Sequence, residues 1–218
     1  MGNVRNDQAD MAQARSNVYG LLASVFRAEP TTDFVNLLKS PEMSDAVAGL
    51  GISIEQILPD LPEDKLAEDL AVEYTRLFIG PGSRISPYES IHVENESNSS
   101  GEFWGKQTAE VKVFIEAAGL KYADDYVELP DHVSAEMEFM QRLASFESKS
   151  RREGKNEDAM FCKGIQKRFY DEHLSKWIPQ FCEKIIDRSE TPFFKEMAEL
   201  TRDVIEFERE NFSKKSDA

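Results

Sequence analysis

The sequence is poor in the residues that metal sites, disulfide frameworks and nucleophilic enzymes are built from. Of 218 residues two are cysteine and three are histidine. Cys162 and Cys182 lack C-x-x-C spacing, so a zinc ribbon and a disulfide scaffold are both excluded, and two ordinary reduced thiols of a cytosolic chain are expected. No G-x-S-x-G elbow is present. The Gly80-Pro81-Gly82-Ser83 turn lacks the G-x-x-x-x-G-K-[ST] pattern and follows a helix-like run, whereas a P-loop follows a strand. No apolar run approaches the roughly 18 residues that a membrane helix needs, which excludes stable membrane insertion. Residues 1–13 are polar, without the apolar core of a signal peptide, so a cytoplasmic location is expected. Positive charge is scarce as well: 26 Lys and Arg stand against 41 Asp and Glu, a formal charge of −15. Such a surface repels phosphate backbones and excludes nucleic acid. It favours encounter with a basic partner, although solubility alone would account for the same sign.

What is present is helical periodicity over nearly the whole length, with strand-type alternation almost absent. Met11, Ala14, Val18, Leu21, Leu22, Val25 and Phe26 mark one apolar face that Pro30 ends. Thr31 or Thr32 caps a short helix through Leu38, Pro41 starts another, and Pro62 sits in the first turn of a helix through Phe78. Residues 80–101 read as a long loop, in which Asn95 and Asn98 fit the glycosylation pattern but signify only polarity without secretion. A helix resumes from Glu102 to Ala118, with Gly119 as its stop. Asp131 is the expected N-cap of a helix through about Glu153 that buries Val133, Met137, Met140, Ala144 and Phe146. Three more helices carry Phe161, Ile165 and Phe169, then Trp177, Phe181 and Ile185, then Phe194 through Ile205. These signals predict an all-α chain, one domain over residues 1–218, with roughly eight to ten helices. The long loop and a polar break near residues 150–157 are candidate hinges, compatible with a monomer or a domain-swapped homodimer.

Two motifs stand out, Glu73-Tyr74-Thr75-Arg76-Leu77-Phe78-Ile79-Gly80-Pro81-Gly82 and Leu129-Pro130-Asp131-His132. Tyr74, Leu77 and Phe78 fall at i, i+3 and i+4 and share a helix face. The same spacing suits an ordinary core. Beside Pro87-Tyr88-Glu89 and Pro130-Asp131-His132, however, it suggests an apolar floor with acidic rims, suited to a peptide that is basic at one end and apolar beyond. Two other readings compete. Glu89-Ser90-Ile91-His92 is a Glu-x-x-His match, and with His132 and Glu136 it is the material for a helical metal or nucleotide enzyme; a di-metal bundle needs that motif twice, and it occurs once. The third reading is an unspecialised helical interaction domain whose polar residues are only caps and surface.

In order along the chain, these motifs resemble those of the TorD/DmsD/NarJ-type redox-enzyme maturation chaperones. The match runs from Ala14-Arg15-Ser16-Asn17-Val18-Tyr19-Gly20-Leu21-Leu22, through the two motifs above, Pro87-Tyr88-Glu89-Ser90-Ile91 and Glu136-Met137-Glu138-Phe139-Met140, to His173-Leu174-Ser175-Lys176-Trp177-Ile178-Pro179. The resemblance implies an all-helical cytoplasmic protein that is not an enzyme; some members are linked to GTP, of which these residues carry no sign, and the scarcity of ligands predicts no cofactor or metal. Its implied partner is the catalytic subunit of a molybdenum-containing oxidoreductase, bound through a twin-arginine signal peptide until the molybdenum cofactor is inserted. Tyr74, Leu77 and Phe78 match the family's groove-lining positions, with Tyr74 standing where many members have tryptophan. Pro130, Asp131 and His132 match its acidic-histidine motif, although Leu129 takes the place of the family's proline and Pro130 comes directly before Asp131. On charge, Asp131, Glu128 and Glu89 are the carboxylates expected to meet the arginines.

Overall fold

The computed structural model describes residues 2–82, 84–93, 105–121 and 128–213. Among these it is all-α, as the periodicity predicts, with nine helices of seven residues or more: α1 (Gly2–Arg27), α2 (Thr32–Leu38), α3 (Pro41–Ala48), α5 (Glu63–Tyr74), α7 (Lys106–Ala117), α8 (Val133–Glu153), α9 (Asn156–Phe169), α10 (Ser175–Arg188) and α11 (Pro192–Ser213). Two single turns, α4 (Ile54–Ile57) and α6 (Glu89–His92), complete the set. Two stretches wind as π-helix, Thr75–Ile79 after α5 and Tyr170–Leu174 between α9 and α10. The expected Thr31 cap forms, its side chain accepting from Phe34 N–H; the structure adds Ser40, which accepts from Met43 N–H, and Gly154 at φ 80°, which closes α8. Lys155 N–H reaches back to Ser150 C=O at 2.9 Å, so the polar break near residues 150–157 is a tight helix stop. Of the long loop, residues 88–92 contain α6. Asn95, Asn98 and Glu102 lie outside the described residues.

The chain forms two compact units. The first comprises Met1–Arg27, Pro87–Ile178 and Ile205–Ala218, and the second Ala28–Ser86 and Pro179–Val204. In the first, α1 packs along α8. Its buried stripe is Ala9, Ala12, Ser16, Tyr19, Ala23 and Phe26, spaced alternately by three and four residues. Small side chains let the helices approach: Ser16 Oγ donates to Gln141 C=O at 3.0 Å and Ser148 Oγ to Ala9 C=O at 2.8 Å. A Cβ on Gly20 would lie 2.5 Å from the Gln141 amide. The apolar face expected for α1 is therefore rotated: Met11 and Ala14 are exposed, while Arg15 is buried. Arg15 holds the inward position because its guanidinium meets Glu208 at 2.6 Å, Gln166 at 2.6 Å and Glu147 at 3.2 Å. That network also explains α9, where Gln166 is buried and Phe161 is 69% exposed, contrary to the apolar reading. Phe146 on α8 is likewise exposed, at the edge of the face that buries Met140, Leu143 and Glu147. In the second unit the core is Val35, Leu38, Leu66, Leu70, Leu77, Phe181, Ile185, Phe193, Phe194 and Met197, all buried.

Candidate functional site

Tyr74, Leu77 and Phe78 lie in the second unit, at the point where α5 passes into its π-turn. Gly80 N–H bonds Thr75 C=O, the i to i−5 bond that defines this winding, and Ile85 N–H takes Leu77 C=O at 2.7 Å. The wider turn keeps all three side chains inward. The Tyr74 and Phe78 rings are 4.9 Å apart, and Phe78 is 6.1 Å from both Phe181 and Phe194. Glu73 is buried beside them and accepts from Arg76 at 2.8 Å and from Glu190 N–H at 2.7 Å. Against its own burial, the Arg76 guanidinium and the Glu190 N–H hold the Glu73 carboxyl below the usual range.

Glu89, Glu128, Pro130, Asp131 and His132 lie in the first unit, where α6, the start of α8, the second π-turn and α10 meet. Residues 87–89 run antiparallel to residues 131–133. Val133 N–H bonds Pro87 C=O at 2.8 Å, Glu89 N–H bonds Asp131 C=O at 3.0 Å, and Tyr88 and His132 form an isolated bridge. This pairing draws residue 132 into extended backbone, so α8 begins at Val133 and its N-cap is His132, not the expected Asp131. His132 Nδ1 accepts from Ser134 N–H at 3.2 Å and contacts Ser134 Oγ at 2.8 Å. Asp131 is released to serve the neighbouring segment: its Oδ2 accepts from Ser90 N–H at 3.0 Å, while Oδ1 is buried with no hydrogen-bond partner.

Three further members were not among the predicted site residues, although each lies in a motif quoted above. His173, in the second π-turn, pairs its Nδ1 with Glu89 Oε2 at 2.9 Å. Trp177 donates Nε1–H to Glu136 Oε2 at 3.0 Å. The Tyr88 hydroxyl donates to Glu128 Oε2 at 2.5 Å. The motifs that contain them and the scarcity of histidine were the available signals. All three histidines of the chain lie here against aromatic rings: His92 is tilted 5.2 Å from Trp177, His132 meets Tyr88 edge to face at 5.0 Å, and His173 is tilted 4.8 Å from Phe169.

Electrostatically the corner is quiet. Burial, then the nearby Glu89 carboxylate, pushes Glu136 well above the usual carboxyl range, so it is held neutral. Burial lowers His132 to about 4, against the Glu128 and Asp131 carboxylates, which pull it upward. Glu89 and His92 share one turn but face different partners. Among the described residues no group of three or more His, Cys, Asp or Glu is arranged to hold a metal ion. Because Glu136 is raised when folded, the folded state takes up a proton above pH 4.5, and stability falls as pH rises toward its folded value. Glu136→Gln keeps the acceptor for Trp177 and removes the titration. It is expected to flatten that decline in urea unfolding between pH 5 and 9; an unchanged slope would mean that Glu136 is ionised in the folded protein.

Of the eight residues singled out in the sequence, Tyr74, Leu77, Phe78, Glu89, Pro130, Asp131 and His132 are buried and Glu128 is half-buried. Among the described residues no helix is long and apolar enough to cross a membrane.

The model of the family described as nitrate reductase delta subunit matches residues 40–183. The chain is similar to the chaperone protein TorD of Shewanella loihica, 26% identical over 90% of this chain and 92% of the relative. It is similar to TorD of another Shewanella strain, 27% identical over 88% and 90%, and of Photobacterium profundum, 27% identical over 84% and 86%. Among solved structures it shares its fold with a protein described as a redox enzyme maturation protein from Archaeoglobus fulgidus. That likeness has a TM-score of 0.56 and 23% identity, and covers 88% of this chain and 93% of the other. These relatives are named as chaperones and maturation proteins, not as enzymes.

Proposed function

We propose a function for this chain on the footing that it belongs to the nitrate reductase delta subunit family: it is a system-specific cytoplasmic chaperone for the catalytic subunit of a molybdenum-containing oxidoreductase. It binds that subunit's twin-arginine leader, the apo-subunit itself, or both, assists cofactor insertion and delays export. The observation that carries the leader-binding part is the Tyr88–Glu128 edge of the buried corner. Glu128 is half-buried and fixed by the Tyr88 hydroxyl, so it is the carboxylate that an incoming guanidinium reaches first. Asp131 has a free acceptor in Oδ1, and its backbone is held by the pairing of residues 87–89 with residues 131–133, in which Glu89 and His132 take part; Pro130 leads into that segment. A carboxylate fixed in this way suits the bidentate geometry of arginine better than the point charge of lysine. In the second unit, Tyr74, Leu77 and Phe78 are the apolar and aromatic side chains that would receive apolar side chains of the client. The charge of −15 speeds encounter with a basic leader.

Calorimetric titration with the leader of a molybdoenzyme encoded beside this gene tests the reading. The arginine form is expected to bind at least about tenfold more tightly than a twin-lysine form, with both weakening as salt rises. Glu128→Gln and Asp131→Ala are expected to weaken the arginine form selectively, and Phe78→Ala to weaken both. Equal affinity for the two peptides would remove the arginine site. Folded Asp131→Ala and Phe78→Ala proteins that bind as wild type would remove these residues from it.

A further inference from the structure

The buried corner of the first unit holds three carboxyl groups that no strong cation answers. Glu89 is 2% exposed, and Asp131 and Glu136 are 0% exposed. Among the described residues the one ion-pair partner of the three is the His173 imidazole, on Glu89. Asp131 takes the Ser90 N–H, and Glu136 Oε2 takes the Trp177 indole N–H. The uncharged Trp177 ring lies against His92 of α6. From α7 the Phe114 ring stands 5.8 Å from His173, and Arg168 lies over that ring. Arg27, at the end of α1, pairs with Glu138 instead. Glu136 is within hydrogen-bond reach of the Glu89 carboxyl, yet its Oε1 is buried and meets no donor. An oxygen without a donor, beside a carboxylate, is where a proton sits, so Glu136 Oε1–H donates to Glu89. That proton belongs to the pair.

The proton matters more to α6 than to the helices around it. α6 is a single turn, too short to stand alone. Of residues 87–93 only Glu89 and Ser90 are buried, and both are polar. The segment is therefore fixed by hydrogen bonds and not by apolar area. Glu89 N–H reaches Asp131 C=O, Val133 N–H reaches Pro87 C=O, Ser90 N–H reaches Asp131 Oδ2, and the Glu89 carboxylate holds His173 and Glu136. Removing the shared proton turns the last of these bonds into repulsion between two buried carboxylates. Parting α6 from α8 relieves it, because water then reaches both.

We propose that the proton shared by Glu136 and Glu89 is a latch on α6: while it is bound, residues 87–92 stay against the start of α8, and when it passes to solvent they part. The switch acts on one segment and not on the whole fold. Once the segment opens, the Glu136 carboxyl returns toward its ordinary 4.5. The closed form is thus fully favoured below that pH and loses ground as pH rises toward the raised closed-state value. Over that window each unit of pH multiplies the opening constant by up to about ten, one proton being released per opening. Tyr88 lies on the same segment, so opening also frees the hydroxyl that fixes Glu128. The latch does not depend on the leader-binding reading, although it governs the edge to which that reading assigns the guanidinium.

Amide hydrogen exchange of the full-length protein between pH 5 and 9, corrected for the intrinsic rate at each pH, tests the latch. The reporters are the Glu89, Ser90 and Val133 amides, which bond across the pairing. The Leu143 amide, midway along α8, reports larger openings. In wild type, protection of the three reporters is expected to fall about tenfold per pH unit while the closed form still holds its proton, with Leu143 at least about tenfold better protected throughout. Glu136→Gln donates from its amide to Glu89 and accepts from Trp177, so it is a latch that titration does not open. It should hold the reporters' protection constant with pH. Wild-type reporters whose protection does not change with pH overturn the proposal, whether or not the variant folds. Reporters that match Leu143 at every pH overturn it too, because the segment then opens only with the rest of α8. A Glu136→Gln protein with the wild-type slope assigns the dependence to another group and equally overturns it.

Discussion

Replacing Arg15 with methionine is expected to lower stability by about 3–5 kcal/mol, the cost of removing one partner from a buried ion network. The side chain of Arg15 is 6% exposed and those of its partners Glu147 and Glu208 are 4% and 0% exposed. The loss falls mainly on Glu208. Glu147 keeps Arg151 at 2.7 Å and the Gln166 amide at 2.9 Å, but Glu208 is left with the Tyr19 hydroxyl at 3.2 Å and the Asn211 amide. Arg15 also lies 5.4 Å from the centre of the Phe212 ring, so packing is lost together with charge. The double variant Arg15→Met, Glu208→Leu should regain much of the loss, because the stranded carboxylate disappears with its partner. Urea unfolding followed by far-ultraviolet dichroism checks both. A single variant within about 1 kcal/mol of wild type would show that water or rearrangement satisfies Glu208.

The second large effect is on the acid limb. His132 has its pKa lowered from 6.5 to about 4 when folded, through burial. Between those values the unfolded chain binds more protons than the folded one, so stability is present above pH 6.5 and is lost as pH falls toward 4. At 1.36 kcal/mol per unit the loss is about 3 kcal/mol. The geometry gives the same sign. A proton on Nδ1 would abolish the acceptor that serves Ser134 N–H and would expel the capping contact from the start of α8. His132→Asn keeps a side-chain acceptor at the N-cap and cannot titrate. It is expected to remove most of the loss between pH 6.5 and 4, as read from urea midpoints at half-unit steps. The remainder belongs to carboxylates such as Glu138, which its partners Arg142 and Arg27 hold below the usual range against its own burial. An Asn variant with the same acid limb as wild type would mean that His132 is charged when folded.

The helical class, several helix ends and the family motifs were legible in the residues alone. Proline, Gly-rich turns and Ser/Thr caps act locally, so Thr31, Ser40, Pro41 and Gly154 do in the structure what their types require. The ordered motifs were likewise readable, because a resemblance depends on order and identity and not on distance. Packing between elements set which faces turn inward, what the polar residues do and where the candidate site's partners come from. Arg15 and Gln166 are buried because a charge network joins residues up to 193 positions apart, an energy that no local periodicity can encode. Asp131 does not cap its helix because the strand-like pairing of residues 87–89 with residues 131–133 moves the helix start by one residue. The union of Glu89 with His173, across 84 positions, and of Trp177 with Glu136, across 41, depends on how α6, α8 and the π-turn before α10 are brought together. Spacing within one helix fixes which side chains share a face; only packing between helices fixes what that face meets.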